Sequence, residues 1–323
     1  MQTFYVFCGK SNKGDIEDRI GGDLKMKILL IGSKGMLGMD CKSVLEQDYE
    51  VVAPDKKELD ITSWDRVIEE LQHLAPDIII NCAGLTDVDA CEKEKMSFMV
   101  RKVNVEGPRN LAQGSARYDC KLIHISSGYV FSGEKSIPQP YFEDDPMDPI
   151  SAYGRSKMES EIALRENAPD YIILRSGWLF GRYGDNFIKS LIAESVKKKK
   201  GMPLKIADDQ FGSPTWSYRL ALQIRELIGV DARGTFNATS EDYCTRFEYA
   251  EYVIKKLGLK VNFESCRSKA SSRRARRPPN GILENRLLKK HAINIMPAWK
   301  EDVDVFLDTY GDELIKEAKS GKP

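Results

Sequence analysis

The sequence predicts an α/β protein, a doubly wound parallel sheet with helices on both faces and a smaller lobe after it. Three observations carry this. Short apolar runs alternate with segments of helical spacing from Met26 to Arg175. Those runs are nearly continuous rather than alternating, as in strands buried on both faces. The first of them opens directly into a glycine-rich turn and a helix.

Composition sets the outer bounds. At 323 residues, 41% hydrophobic and 30% charged, the chain can bury a sizeable core in one large or two smaller domains. Lys+Arg and Asp+Glu both number 49, a net charge of +0, so no global field draws it to nucleic acid or an anionic membrane. Its 7 cysteines (Cys8, Cys41, Cys82, Cys91, Cys120, Cys244, Cys266) are scattered without a CxxC pair. That argues against a disulfide framework or a metal site and suits a reducing, cytoplasmic compartment. No apolar run approaches the roughly 18 residues of a membrane helix.

Residues 1–25 read as an extension ahead of the fold. Met1 to Cys8 lacks the basic start of a secretory signal. Gly9 to Lys25 is polar and glycine-containing, and partial disorder is expected there, with Met26 as an alternative start.

Lys27 to Ile31 is the first strand. Gly32-Ser33-Lys34-Gly35-Met36-Leu37-Gly38 follows, then helical spacing from Met39 to Gln47. In the order strand, turn, helix, such glycines let the backbone approach a pyrophosphate closely. The helix N-terminus adds free N–H groups and partial positive charge. This is the signature of a Rossmann-like dinucleotide site. The second strand, Tyr49 to Ala53, ends at Pro54-Asp55-Lys56-Lys57. An acid there can bond a ribose 2′-hydroxyl and a cation can accommodate a 2′-phosphate, so Asp55 and Lys56 leave both NADH and NADPH open.

Asp60-Ile61-Thr62 opens a helix to about His73, capped by Thr62 or Ser63. Pro76 to Asn81 is the third strand, ending at Cys82-Ala83-Gly84. A long helical pattern from Met96 to Tyr118 carries Asn104. Lys121 to Ile125 is the fourth strand and runs into Ser126-Ser127-Gly128-Tyr129. Ligands in such sheets bind outside the strands' carboxyl ends, where Ser127 would offer a hydroxyl.

A Pro- and acid-rich loop leads to Tyr153-Gly154-Arg155-Ser156-Lys157, on a helix entered near Ser151. Residues four apart share a helix face. A free tyrosine, with a pKa of about 10, is a poor acid–base group at neutral pH. A neighbouring ammonium is expected to lower that value and let the pair exchange a proton with a carbonyl oxygen. Asp170 to Arg175 is the fifth strand.

The glycine turn, the strand-end serine and the Tyr153/Lys157 pair together resemble the extended short-chain dehydrogenase/reductases. Asn81-Cys-Ala-Gly-Leu-Thr86, Ser126-Ser-Gly-Tyr-Val-Phe131, Arg175-Ser-Gly-Trp-Leu-Phe-Gly181, Asn186-Phe187, Asp209-Gln-Phe-Gly-Ser-Pro-Thr215, Arg276-Arg277-Pro278 and Trp299 narrow the resemblance to the dTDP-4-dehydrorhamnose reductase family, from Met26 to about Leu307. That resemblance implies a catalytic set of Ser127, Tyr153 and Lys157. It implies a pyrophosphate cradle of Gly32, Gly35, Met36, Leu37 and Gly38, with Asp60 and Ile61 by the adenine. Ala83, Gly84, Thr86 and Asn104 would lie along the cofactor, NADPH or NADH. Ser127, Gly128, Tyr129, Trp178, Asn186, Gln210, Arg276 and Arg277 would line the sugar-nucleotide side. The implied division is a dinucleotide-binding domain over 26–175, with 203–230 folding back onto it, and a substrate-binding lobe over 176–323. The implied reaction is hydride transfer to the C4 ketone of dTDP-4-dehydro-L-rhamnose, with a homodimer left open.

The chain departs from the family at Ser127-Gly128-Tyr129, where Thr-Asp-Tyr is usual; Gly128 removes a carboxylate from the sugar side. The same absence counts against the related dehydratases, which need an acid beside the hydroxyl. The loop before Tyr153 is slightly long, so the lid over the site is expected to differ. A non-catalytic relative, similar to the regulatory beta subunit of methionine adenosyltransferase, and a reductase of another nucleotide-linked keto sugar stay open as alternatives.

Other charged stretches have plainer readings. Lys197 to Lys200 reads as a solvated helix end. Arg273 to Arg277 reads as a phosphate-facing arm, since guanidinium forks match phosphate oxygens. His124 reads as a hydrogen-bonded core residue. After Arg175, helices near 186–198, 218–228, 246–257 and 299–318 and a strand at 234–238 are expected.

Overall fold

The structure, a computed structural model, describes residues 25–197, 202–268 and 274–320. The extension before Lys25, Lys198 to Lys200 and Arg273 lie outside the described residues. The central sheet has 6 strands: β1 (Lys27–Ile31), β2 (Glu50–Val52), β3 (Ile78–Asn81), β4 (Lys121–Ser127), β5 (Tyr171–Ser176) and β6 (Gly234–Asn237), in the order β6-β5-β4-β3-β1-β2. Every pairing is parallel. The principal helices are α1 (Met36–Leu45), α2 (Trp64–Leu74), α3 (Gly107–Arg117), α4 (Ala152–Asn167), α5 (Phe187–Lys197), α6 (Ser217–Gly229), α7 (Arg246–Lys256) and α8 (Trp299–Ser320).

Side-chain alternation divides each strand between two cores. Ile28, Leu30, Ile78, Ile80, Ile123 and Leu174 face Val44 and Leu45 of α1 and Leu220, Ile224 and Leu227 of α6. Leu29, Ile31, Ile79, Leu122 and Ile173 face Val67 and Leu71 of α2, Leu111 of α3 and Leu164 of α4. Both faces are therefore dry, which is why the strands read as unbroken apolar runs. The chain leaves β1 toward β2 and then crosses back to β3, and the crevice at this reversal is where doubly wound sheets hold ligands.

A third core holds Phe180, Ile188, Tyr249, Trp299 and Phe306. Leu204 and Trp216 also belong to it. The segment that returns to the sheet is thus 217–238, not the expected 203–230. Residues before Ser217 pair with strands of the lobe instead: Leu204–Ala207 with Phe263–Cys266, Phe211–Gly212 with Cys244–Thr245, and Thr215–Trp216 with Leu179–Phe180.

One further expectation is corrected. The helix read from Met96 to Tyr118 is interrupted by a π turn, Lys102–Glu106, between Ser97–Arg101 and α3. Pro108 has no N–H to donate, and its ring crowds the carbonyl four residues back, so the helix widens before it. The loop over 132–151, where a differing lid is expected, is tied down at several points. Tyr141 stacks on Phe131 at 4.5 Å, Lys135 pairs with Asp145, and the Asn280 amide donates to the carbonyls of Lys135 and Gln139.

α4 is fixed at both ends of its buried face. Ser151 caps it, accepting from the Gly154 N–H at 3.0 Å. Farther along, the Glu161 carboxylate takes both arms of the Arg175 guanidinium, at 2.9 and 2.7 Å, and a bond from Ser126 at 2.5 Å. Glu161 and Arg175 are 0% and 1% exposed. Burial pushes the Glu161 carboxyl up, but Arg175, Arg165 and Ser126 together bring it below its ordinary value of 4.5. Its contribution to stability is therefore full above that value and is lost as pH falls through the lower folded value. Glu161→Ala, which strands Arg175, should destabilise the protein by about 3–5 kcal/mol in urea unfolding, and Glu161→Leu with Arg175→Met should recover most of it.

Candidate active site

The glycine turn after β1 is packed backbone against backbone. Gly32 sits at φ +77°, and a Cβ there would come within 2.6 Å of the Ala83 nitrogen. A Cβ on Gly38 would come within 2.1 Å of the Gly32 carbonyl. α1 starts at Met36 with no side-chain cap and no acid in its first turn, so its N–H groups face the crevice unanswered by the protein's own side chains. A helix start of this kind at the sheet's reversal suits a phosphate group.

At the end of β2, Asp55 accepts from the Lys34 ammonium at 2.9 Å and from the Lys57 N–H at 2.7 Å. That bond to Lys34 holds the Asp55 carboxyl below the usual range. Lys56 is exposed beside it. Lys34 was not singled out from the sequence; its place inside the glycine turn, one fold-back from β2, brings it there. Asp60 uses Oδ1 to cap Thr62 at 3.0 Å. Ile61 is buried in the second face of the sheet, its side chain filling the space over Gly107, so it turns into the core rather than toward a ligand.

The loop after β3 is held from below. Asn104, on the π turn, accepts from the Leu85 N–H at 2.8 Å and donates to the Leu85 carbonyl and to Ser156 at 3.0 Å each. Its amide is thereby committed to shaping the Ala83-Gly84-Leu85-Thr86 loop and tying it to α4.

Ser127 ends β4 and Tyr153 and Lys157 lie one turn apart on α4. The Ser127 hydroxyl accepts from the Tyr129 N–H at 3.2 Å and lies close to the Tyr153 phenol. Tyr129 packs edge-on against Tyr153, with centroids 5.8 Å apart. Burial pushes Tyr153 up to about 12, with the nearby Ser127 hydroxyl working against it. This corrects the expected lowering by Lys157. The ammonium does not turn to the phenol; it donates to the Ile125 carbonyl at 2.6 Å and lies 3.4 Å from His124 Nε2. Burial brings Lys157 itself down to about 8, with Glu161 opposing. Gly128 is buried, and a side chain there would meet Leu283 at 3.3 Å.

Toward the lobe, a cavity of about 550 Å³ is lined by Gln210, Arg246, Arg274, Arg276 and Lys205 among others. One expected member, Asn186, is committed elsewhere, whereas Arg277 lines the cavity while its guanidinium is held by Asp89 at 2.6 Å and by the Ala275 carbonyl at 3.0 Å. Asn186 donates to the Gly181 carbonyl at 2.9 Å and caps Lys189 at 3.2 Å, which makes it a brace for α5. Trp178 sits at φ +48°, a strained conformation for a large residue, with Gly212 against its ring. Arg246, missed in the sequence, lies 3.6 Å over the Trp178 ring centre and 5.0 Å from Phe187. The available signal was its position as the first residue of α7, where a cation opposes the helix dipole. A wider groove of about 930 Å³ on the lobe, lined by Tyr243, Glu251, Tyr252 and Lys300 among others, includes none of these site residues.

Comparison with known proteins agrees with this geometry. The chain is similar to dTDP-4-dehydrorhamnose reductase of Aggregatibacter actinomycetemcomitans, 34% identical over 286 residues that cover 84% of this chain and 95% of that one. It is similar to the spore coat polysaccharide biosynthesis protein SpsK of Bacillus subtilis (strain 168), 32% identical over 282 residues, covering 87% and 96%. Among solved structures it matches dTDP-4-dehydrorhamnose reductase from Bacillus anthracis str. Ames in complex with NADP, with a TM-score of 0.84 and 32% identity over 88% of this chain and 100% of that one. The model of the RmlD substrate binding domain matches residues 26–311, and the chain belongs to that family.

Proposed function

We propose that this protein reduces the 4-keto group of a nucleotide-linked deoxysugar with NADPH or NADH, and that the substrate is dTDP-4-dehydro-L-rhamnose. The observation that carries the reading is the convergence of Ser127, Tyr153 and Lys157 at the carboxyl end of β4, beside a glycine turn shaped for a pyrophosphate. The names of its relatives, and the NADP in one solved relative, point the same way. A purely regulatory role has less support, because all three reacting groups are present. The scattered, unpaired cysteines among the described residues suit a cytoplasmic setting.

Gly32, Gly35, Gly38 and the start of α1 would hold the cofactor's pyrophosphate, and the Ala83 to Thr86 loop would lie along its inner part. Bound there, a reduced nicotinamide supplies the hydride. The Ser127 hydroxyl would bond the ketone oxygen. Tyr153 then gives that oxygen its phenolic proton as negative charge develops on it. A phenol held at about 12 is protonated throughout the neutral range, the correct state for an acid in the reducing direction. Lys157 places positive charge behind it. Arg246 and Arg276, facing the cavity, would take the substrate's diphosphate through charge-assisted bonds.

Three outcomes follow, each read by loss of reduced-nicotinamide absorbance. Tyr153→Phe should lower kcat by about 10²–10⁴ while leaving cofactor affinity nearly unchanged; a variant with wild-type kcat removes Tyr153 from the chemistry. Lys157 carries its charge below about 8 and loses it above, so kcat/KM should hold on the acid side and decline as pH rises past that value. Arg246→Ala should raise KM for the sugar nucleotide by about 10- to 100-fold with kcat little changed, the worth of one charge-assisted bond.

A further inference from the structure

His124 lies on β4 directly across from Asn81 on β3, and is 0% exposed. The reaction just proposed does not use it, yet it touches the lysine that the reaction does use.

Its protonation is dictated by its neighbours. The Ala83 N–H, in the loop over the crevice, donates to Asn81 Oδ1 at 3.0 Å. The Asn81 amide nitrogen therefore faces the other way, onto His124 Nδ1 at 3.1 Å. An NH₂ group is a donor only, so Nδ1 must be the bare, accepting nitrogen. In a neutral imidazole the proton then sits on Nε2. That nitrogen is 3.0 Å from the Ser160 hydroxyl, and the hydroxyl in turn donates to the Lys157 carbonyl at 2.7 Å. One directed chain runs from the Ala83 N–H through Asn81, His124 and Ser160 to the backbone of Lys157. Each donor in it has one acceptor.

A second proton on the ring would set Nδ1–H against the Asn81 amide. It would also place an imidazolium 3.4 Å from the Lys157 ammonium, the charged group that faces the ring. Glu161 and Cys82 act on Lys157 rather than on His124. The Nε2–H, committed to Ser160, offers no lone pair to the ammonium either. Of the lysine's protons one goes to the Ile125 carbonyl, and none is drawn off by the ring.

We infer that His124 is a positioning residue, a neutral imidazole locked as its Nε2–H tautomer, which fixes the Lys157 turn of α4 to the Ala83 loop and leaves the ammonium free to serve the site. The kinetic half of this inference rests on the reductase reading; the tautomer half does not.

The chain has 3 histidines, so two-bond ¹⁵N–¹H spectra of histidine-labelled protein can resolve each ring. His124 is expected as the neutral Nε2–H form throughout the pH range in which the protein is folded. Asn81→Asp, which replaces the facing donor by an acceptor, is expected to bring a proton onto Nδ1. An Nδ1–H or imidazolium signal for His124 in the unmodified protein would overturn the assignment, whatever the substrate proves to be. In the reductase assay, His124→Phe keeps the ring's bulk without its bonds. It should lower kcat by about 10- to 100-fold, the scale of a small misplacement, with KM nearly unchanged and the alkaline limb of the pH profile moved to lower pH. His124→Gln, which retains a donor for Ser160, should recover part of that loss and return the limb toward its original position. A His124→Phe enzyme with kcat and alkaline limb intact, or a glutamine variant no better than phenylalanine, would reduce His124 to core packing.

Discussion

The Glu161–Arg175 ion pair is the contact on which the site's geometry depends. It joins α4 to β5, and through Ser126 to the end of β4, and both partners are fully buried. Arg175 also reaches the Glu143 carbonyl at 3.0 Å, so the same guanidinium anchors the loop that leads into Ser151. A pair this buried is a weak source of net stability compared with apolar packing. What it supplies is alignment: strand end, helix and entering loop are held to one another by directional bonds that a greasy contact would not specify.

That alignment explains an electrostatic division of labour along one helix. Tyr153 and Lys157 are four residues apart and both buried, yet burial moves them in opposite senses, since it penalises the phenolate in one case and the ammonium in the other. Glu161, a further turn on, partly restores the lysine's charge. The helix thus carries a neutral acid, a tuned cation and a compensated anion in sequence, and the sheet beneath fixes how far each can relax.

Features set by local rules were legible in the sequence. The unbroken run Lys27 to Ile31, the glycines after it, the helix start near Ser151 and the four-residue spacing of Tyr153 and Lys157 each follow from neighbours in the chain, and each is found where the pattern puts it. What could not be read depends on distant partners. The return of 217–238 to the sheet reflects the fit of Leu220, Ile224 and Leu227 against α1. Arg277 lines the cavity as expected, but that Asp89, far back in the chain, holds its fork could not be read from the sequence. Tyr153 was expected to be more acidic because Lys157 is near in sequence, but the lysine's reach is decided by a strand carbonyl, Ile125, that no helix pattern contains. His124 was correctly read as interior, while its link to Lys157 needed the parallel register that sets it opposite Asn81.

The widened turn Lys102–Glu106 has a consequence for how this chain can vary. A helix advances about 100° per residue. The widened turn winds less per residue and so absorbs one residue more than a regular turn, which leaves Leu111 and Ala112 in phase with the sheet; deleting one residue there would restore regular winding with that phase kept, but would shift Asn104 from beneath the Leu85 loop. What this short stretch constrains is therefore the placement of Asn104 rather than the winding that follows: a single lost codon would cost the Leu85 loop its brace while α3 kept its face on the sheet.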